Sequence, residues 1–274
     1  MLFRSLIDGI DGLVNVAPTD LADLSSLKGA KLDFLEQQGN KYFLVDANNG
    51  SIYSYDSTTG GLSSLIVNPA GVGKVTATAV GDDGLFLMTD EPAVWLYQSD
   101  GNKLTKQTII LGSWPRGKAL GTYGGNLYIL AADDSQIYKD VKTVGGYGGK
   151  SNYLIANTNL LAGASAMGID GNIYTAGPQG FVRFALGKLD SQVKLPDTLT
   201  HADSIVSAAG GDLLLVSDAQ SGRVGVIDGT NQLVLTRQLK VSGNPHLYAI
   251  RYDSGSRSII ALTDGKLIKI PLPQ

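Results

Sequence analysis

The chain of 274 residues has no cysteine, two histidines and two tryptophans, and only 17% of its residues are charged. The missing cysteine excludes a disulfide framework, a thiolate zinc site and a cysteine nucleophile. Two histidines leave little material for acid–base chemistry or metal ligation, and no cofactor is called for. A formal net charge of −3 argues against nucleic acid as a partner. No apolar run reaches the ~18 residues that span a bilayer, and no long apolar stretch follows Arg4, so the start is not a signal peptide. His-Glu-x-x-His, Gly-x-Ser-x-Gly and EF-hand patterns are all missing.

Glycine is what the chain has in abundance, with 35 residues against a usual ~7% share. Together with 43% hydrophobic residues, this predicts many short apolar strands joined by glycine turns. Self-similarity sharpens the expectation. Six segments repeat a polar turn, an apolar strand, an acidic or glycine turn and a second strand. Their first apolar residues are Tyr42, Leu85, Leu127, Ile173, Leu213 and Ile259. The spacing matches the ~40–50 residues of a four-stranded propeller blade. Runs such as Leu85–Met88, Leu213–Val216 and Ile259–Leu262 are unbroken, which requires a strand covered on both faces. Shorter stretches of small residues upstream, Val75–Val80 and Ala164–Gly168, suit an innermost strand. The fold class read from these features is all-β, a six-bladed β-propeller closed by an N-terminal strand that completes the last blade.

The last repeat supplies three strands, near 247–252, 257–263 and 266–270. Residues 12–17 are expected to provide its fourth, with Leu13, Val14 and Val16 contributing roughly 5–9 kcal/mol by burial. Pro18 to Leu24 reads as a capped helical turn. Residues 12–274 form a single domain on this reading. Residues 1–11 are a non-native or linker N-terminus, because Leu2-Phe3-Arg4-Ser5 is what the end of a common sequencing adapter encodes in frame. On that expectation the natural chain begins further upstream.

Three features carry possible chemistry. Val144-Gly-Gly-Tyr-Gly-Gly-Lys150-Ser151 resembles a phosphate loop but joins two strands, and reads instead as a long hairpin in the third blade. Asp46, Asp90, Asp133, Asp218 and Asp264 recur after the apolar strand, with Gly177 breaking the series. They either form a carboxylate ring or shape tight turns by bonding their own backbone; Gly50, Gly222 and Gly265 favour the turns. Lys31, Lys74, Lys118, His201 and His246 stand at the entries to inner strands, at the expected mouth of a central channel. That collar either attracts an anionic small molecule, glycan or protein, or neutralises the neighbouring aspartates. Trp114 and Arg116 lie in a loop, as possible contacts for a sugar or peptide. Tyr53, Tyr55, Tyr97 and Tyr138 are expected to fill the space between blades.

The units Tyr42–Asp46 with Ser51–Asp56, and Leu213–Asp218 with Arg223–Asp228, resemble NHL-type six-bladed repeats. The order of Gln136–Lys139, Tyr153-Leu154, Ala166–Ile173 and Gly180–Phe184 is similar to the C-terminal propeller of PPM-phosphatase-like membrane proteins of candidate-phyla bacteria. This resemblance implies a non-enzymatic binding or sensory module outside the cytoplasm, joined to the membrane only through an upstream segment. The phosphatase's paired metal-binding aspartates have no counterpart here, so no catalytic residue is carried over. The alternative is a metal-dependent gluconolactonase-like hydrolase, for which Asp33, Glu36, Asp203 and Asp253 are the available acids.

Overall fold

The computed structural model describes residues 12–273; the expected N-terminal scar lies outside them. Among these residues there is no α-helix, and strands are joined by hairpins and short 3-10 turns. The chain opens with β1 (Leu13–Val16) and β2 (Thr19–Asp23), and then runs through consecutive four-stranded antiparallel sheets. These are the blades of a six-bladed β-propeller.

Contacts divide the chain into two compact units. The unit spanning Ser25–Ala162 holds three blades. They are β3 (Leu32–Gln38), β4 (Lys41–Asp46), β5 (Ile52–Asp56) and β6 (Gly61–Ile66); β7 (Val75–Gly81), β8 (Gly84–Thr89), β9 (Val94–Gln98) and β10 (Lys103–Lys106); and β11 (Ala119–Tyr123), β12 (Asn126–Ala131), β13 (Gln136–Thr143) and β14 (Gly146–Asn152). The other unit joins the described residues up to Leu24 to those from Gly163 onward, apart from Leu186–Lys188. Its fourth blade is β15 (Ala166–Ile169), β16 (Ile173–Gly177), β17 (Gly180–Ala185) and β18 (Lys188–Val193). The fifth is β19 (Ala202–Ala208), β20 (Leu213–Asp218), β21 (Arg223–Asp228) and β22 (Val234–Val241), and the sixth is β23 (Ala249–Asp253), β24 (Ser258–Thr263) and β25 (Lys266–Pro271) with β2.

The second strand of each blade is the apolar run seen in the sequence, and burial explains it. Every residue of β8 and β24 is buried, and β4, β12 and β20 are buried from their second residue on. Outer strands such as β18 are mostly exposed and polar. Small residues on the first strands permit close approach. A Cβ on Gly168 of β15 would lie 2.7 Å from Ile205 Cγ2 on β19. The mixed aromatic and aliphatic core follows: Phe43, Val45, Leu85, Leu87 and Tyr97 meet between the first two blades. Tyr53 and Tyr55 are buried as expected.

The N-terminus departs from the sequence reading in two ways. An N-terminal strand does complete the sixth blade, but it is β2, antiparallel to β25 with a bulge between Asp20 and Ala22. No helical turn forms there, because the otherwise open edge of β25 offers the segment ladder bonds that a four-residue helix lacks. Leu24 N–H extends the pairing to Gly265 O at 2.8 Å. Leu13–Val16 instead adds a fifth strand to the fifth blade, parallel to β22, with Val16 opposite Val241. Val16 is buried with Leu239, Val241 and Leu247, while Leu13 and Val14 are only partly covered. Its contribution is therefore nearer ~1.5–3 kcal/mol, for one fully buried side chain, than the larger sum.

Candidate functional site

In each blade the turn between second and third strands lies at the same end as the entry to the first strand. Main-chain bonds fasten one to the other. Ala47 N–H donates to Lys31 O at 2.8 Å, Asp90 N–H to Lys74 O at 3.0 Å, and Lys118 N–H to Leu130 O at 2.8 Å. The repeated entry residue is thus pinned beside the acidic turn, and its side chain projects at the strand end. Lys31, Lys74 and Lys118 are all exposed. Lys31 Nζ lies 3.1 Å from Asp33 Oδ2, and Lys118 Nζ 3.6 Å from Asp133 Oδ2. Lys118 therefore faces an aspartate of the recurring series, as the neutralising reading of the collar requires, whereas Lys31 faces Asp33, which lies outside that series.

The aspartates divide by burial. Asp46 is 2% exposed, and its Oδ1 accepts Asn48 N–H at 2.8 Å. Asp218 is 1% exposed; its Oδ1 accepts Ser221 N–H at 2.9 Å and its Oδ2 accepts His201 N–H at 3.1 Å. These two build their turns. Asp90, accepting Glu91 N–H, and Asp133 lie at the surface. Asp264 Oδ1 accepts the Tyr248 hydroxyl at 2.6 Å.

The second unit gathers the two histidines' surroundings. His201 Nδ1 is 3.9 Å from Asp218 Oδ2. The His246 and Tyr248 ring centroids are 4.4 Å apart. Asp203 Oδ2 accepts Ala219 N–H at 2.7 Å. Desolvation raises the Asp203 carboxyl above its ordinary pKa, the Ala219 bond opposes this, Asp218 adds to the rise, and both histidines counter it. His246 and Asp264 also line a cleft of about 280 Å³ with Pro18, Asp20, Ser242 and Lys266. Across it Lys266 Nζ lies 2.6 Å from Asp20 Oδ2, and that bond holds the lysine above its usual pKa.

Other expected residues sit elsewhere. Trp114 is core, not a surface contact: it is 5% exposed and its ring centroid is 5.4 Å from that of Tyr147. The loop carrying it folds onto the third blade's hairpin, where Ile109 bridges Tyr147 in parallel. Arg116 remains exposed but loses the aromatic neighbour that made it a contact. The glycine-rich run is the β13–β14 hairpin, as read. Its glycines serve that docked loop, since a Cβ on Gly146 would stand 2.3 Å from Thr108 O and one on Gly149 2.2 Å from Leu111 O. Each acid of the hydrolase reading has its own local role. Asp33 faces Lys31, Glu36 accepts the Thr78 hydroxyl at 2.8 Å, and Asp253 caps the turn at Gly255 and Ser256, at the other end of its blade. Among the described residues, no group of three or more histidines and acids is placed to hold a metal ion.

No protein-family model matches the chain, and no curated protein does. Solved structures do. Virginiamycin B lyase from Staphylococcus aureus is similar with a TM-score of 0.57 at 16% identity, over 92% of this chain and 88% of that one. The C-terminal WD40 domain of Sif2 gives 0.55 at 13% identity, over 96% and 97%. A chain of the mitotic checkpoint complex gives 0.64 at 11%, over 89% and 87%. At these identities the likeness is one of fold. It is the β-propeller fold, on which a lyase, a WD40 domain and a chain of the mitotic checkpoint complex are all found.

Sequence reasoning missed one feature. Asp140 on β13 is 0% exposed, and among the described residues neither carboxylate oxygen has a hydrogen-bond partner. Burial raises its pKa from 3.8 to about 6, with Lys150 pulling the other way. The signal was available: Tyr138 and Asp140 alternate on a strand paired on both sides, which makes an acid at that position anomalous.

Proposed function

We propose that this chain is a non-enzymatic binding module, with its ligand taken at the strand-entry end of the blades. One observation carries the reading. The repeat places an exposed lysine immediately before the first strand in three consecutive blades (Lys31, Lys74 and Lys118), where main-chain bonds fix it; His201 holds the same place in the fifth blade, whereas in the sixth that place is Tyr248 and His246 lies two residues before it. Such a recurrent, pinned position suits recognition of a ligand. The chemistry favours an anionic group, such as an acidic glycan, a carboxylate or an acidic protein surface. Lys74, against which no carboxylate is drawn among the described residues while Lys31 and Lys118 have theirs, is the residue most available to it.

The same reading places the module outside the cytoplasm as the sensory part of a larger membrane protein. The NHL-like repeats and the likeness to PPM-phosphatase-linked propellers support this. No helix among the described residues is long and apolar enough to cross a membrane. A long sequencing read across the 5′ end of the source gene tests this; a stop codon in frame directly before Met1 overturns it. The ligand is tested by thermal shift with oligogalacturonate. Stabilisation that Lys31→Ala/Lys74→Ala/Lys118→Ala removes supports the site, and stabilisation that survives the triple variant places it elsewhere.

A further inference from the structure

A cleft of about 350 Å³ opens in the sixth blade beside the β23–β24 hairpin, at the opposite end of the blade from the strand entry. Its size falls within the ~300–1,000 Å³ of small-molecule sites. Ser256, Arg257 and Ser258 line it where β24 begins, and Lys269, Pro271, Leu272 and Pro273 line it along and just beyond β25. Pairing explains the juxtaposition. Ser258 stands opposite Pro271 and Ile260 opposite Lys269, so Ser258 and Lys269 share one face of the sheet. Both charged residues of the lining are cations.

Neither cation is spent on the fold. Lys266, on the same strand, lies 2.6 Å from Asp20 Oδ2, whereas Lys269 has no carboxylate or other acceptor at its ammonium among the described residues. Lys269 is only partly exposed, on a strand paired on both sides and between the buried Ile268 and Ile270. A cation half withdrawn from water is ordinarily paired, so an unpaired one there costs stability that an apolar residue would not. Arg257 is exposed and equally without a partner among the described residues. Its backbone stands at φ +48°, a left-handed conformation that glycine or asparagine takes more readily, so the turn itself does not call for arginine. The acid of the same loop is turned elsewhere. Asp253 Oδ1 accepts Gly255 N–H at 3.0 Å and its Oδ2 accepts the Ser256 hydroxyl at 2.5 Å, with Ser258 Oγ 2.5 Å from Ser256 Oγ. The apolar wall is fixed as well: Leu272 packs against the core, and Arg237 Nη1 donates to Pro273 O at 2.6 Å. The cleft thus holds two uncommitted cations against a preformed apolar surface.

We propose that this cleft binds a small organic phosphate monoester, with the Arg257 guanidinium and the Lys269 ammonium on the phosphate oxygens and Pro271, Leu272 and Pro273 against the apolar part. A guanidinium fork alone satisfies a carboxylate, whereas two cations match the charge of about −2 that a phosphate monoester carries at neutral pH. The site is separate from the lysines at the strand-entry end and does not rest on their reading.

The test is calorimetric titration of the intact chain with phenyl phosphate at neutral pH and matched ionic strength. Benzenesulfonate serves as the singly charged analogue of the same shape, and inorganic phosphate as the oxyanion without an apolar part. The expected result is saturable binding of phenyl phosphate, several-fold tighter than either control. Arg257→Asn, which suits the left-handed turn, and Lys269→Gln should each weaken it about tenfold, the size of one charge-assisted hydrogen bond, while circular dichroism shows an unchanged Tm. Lys31→Ala/Lys74→Ala/Lys118→Ala should leave it unchanged. No saturable heat, equal affinity for either control, indifference to both Arg257→Asn and Lys269→Gln, or loss of binding in the triple lysine variant overturns the proposal. Failure of oligogalacturonate to bind at the strand-entry end would leave this result untouched.

Discussion

Removing the charge at Asp140 without changing its shape should alter how stability depends on pH. Asp140→Asn is the perturbation. The folded-state carboxyl titrates near 6 instead of 3.8 because burial opposes its ionisation more than Lys150 favours it. At ~1.36 kcal/mol per unit, the differential amounts to about 3 kcal/mol. The sign follows from the raised value. Between about pH 4 and pH 6 the folded chain holds a proton that the unfolded chain releases. Stability conferred by the protonated form is therefore full below pH 4, and is lost as pH rises to about 6. The substituted amide cannot ionise, so the variant lacks this loss. It does leave donors unpaired, at about 1–3 kcal/mol, so the offset between the two curves is mixed and only their difference in slope reads the charge.

The assay is thermal unfolding by circular dichroism from pH 4 to pH 8 on both proteins. For a chain of this size ~1 kcal/mol shifts Tm by roughly 2 °C. The wild-type Tm should fall by roughly 6 °C relative to the variant between about pH 4 and pH 7, with the gap constant above that. Titrations shared by both proteins cancel in the difference. Parallel curves across the window would refute the reasoning, because Asp140 would then be solvated or paired in solution.

Other expectations follow from packing. Trp114→Ala should cost ~3–5 kcal/mol in chemical denaturation, as loss of a buried aromatic, and should leave oligogalacturonate binding unchanged; a neutral effect on stability would return Trp114 to the surface. Gly146→Ala or Gly149→Ala should destabilise by roughly 1–3 kcal/mol, because each Cβ meets a backbone carbonyl at a positive φ; wild-type stability would mean that the 108–111 segment is not docked there. Leu24→Ala, at the end of the strand closing the sixth blade, should cost ~2–5 kcal/mol, and more than Leu13→Ala on the partly covered strand. The reverse order in equilibrium unfolding would restore residues 12–17 as the closing strand.

The architecture was legible because burial in a blade is written along the chain. A second strand covered on both faces needs an unbroken apolar run, and six such runs at blade spacing leave few alternatives. The N-terminus was not legible for the same reason. Val14 and Val16 make Leu13–Val16 look like the better closing strand, whereas the choice between the edges of β22 and β25 is made by long-range pairing. Thr19–Leu24 carries helix-start residues, but ladder bonds to β25 override that preference. Trp114 was misplaced because a loop without periodicity gives no sign that it folds back onto Tyr147. At the candidate site, the positions of Lys31, Lys74 and Lys118 could be read from the repeat. Their pairing with Asp33 and Asp133 could not, since it depends on rotamers. Asp140 was visible as an acid in a strand; its orphaned state emerges only when both neighbouring strands are in register.

The account's central claim is binding at the strand-entry end, and titration calorimetry with oligogalacturonate tests it most directly. Wild type should give saturable heat that weakens as salt rises, with Lys74→Ala and Lys118→Ala each reducing affinity while Tm holds. No saturable heat, or affinity indifferent to both substitutions, would contradict it.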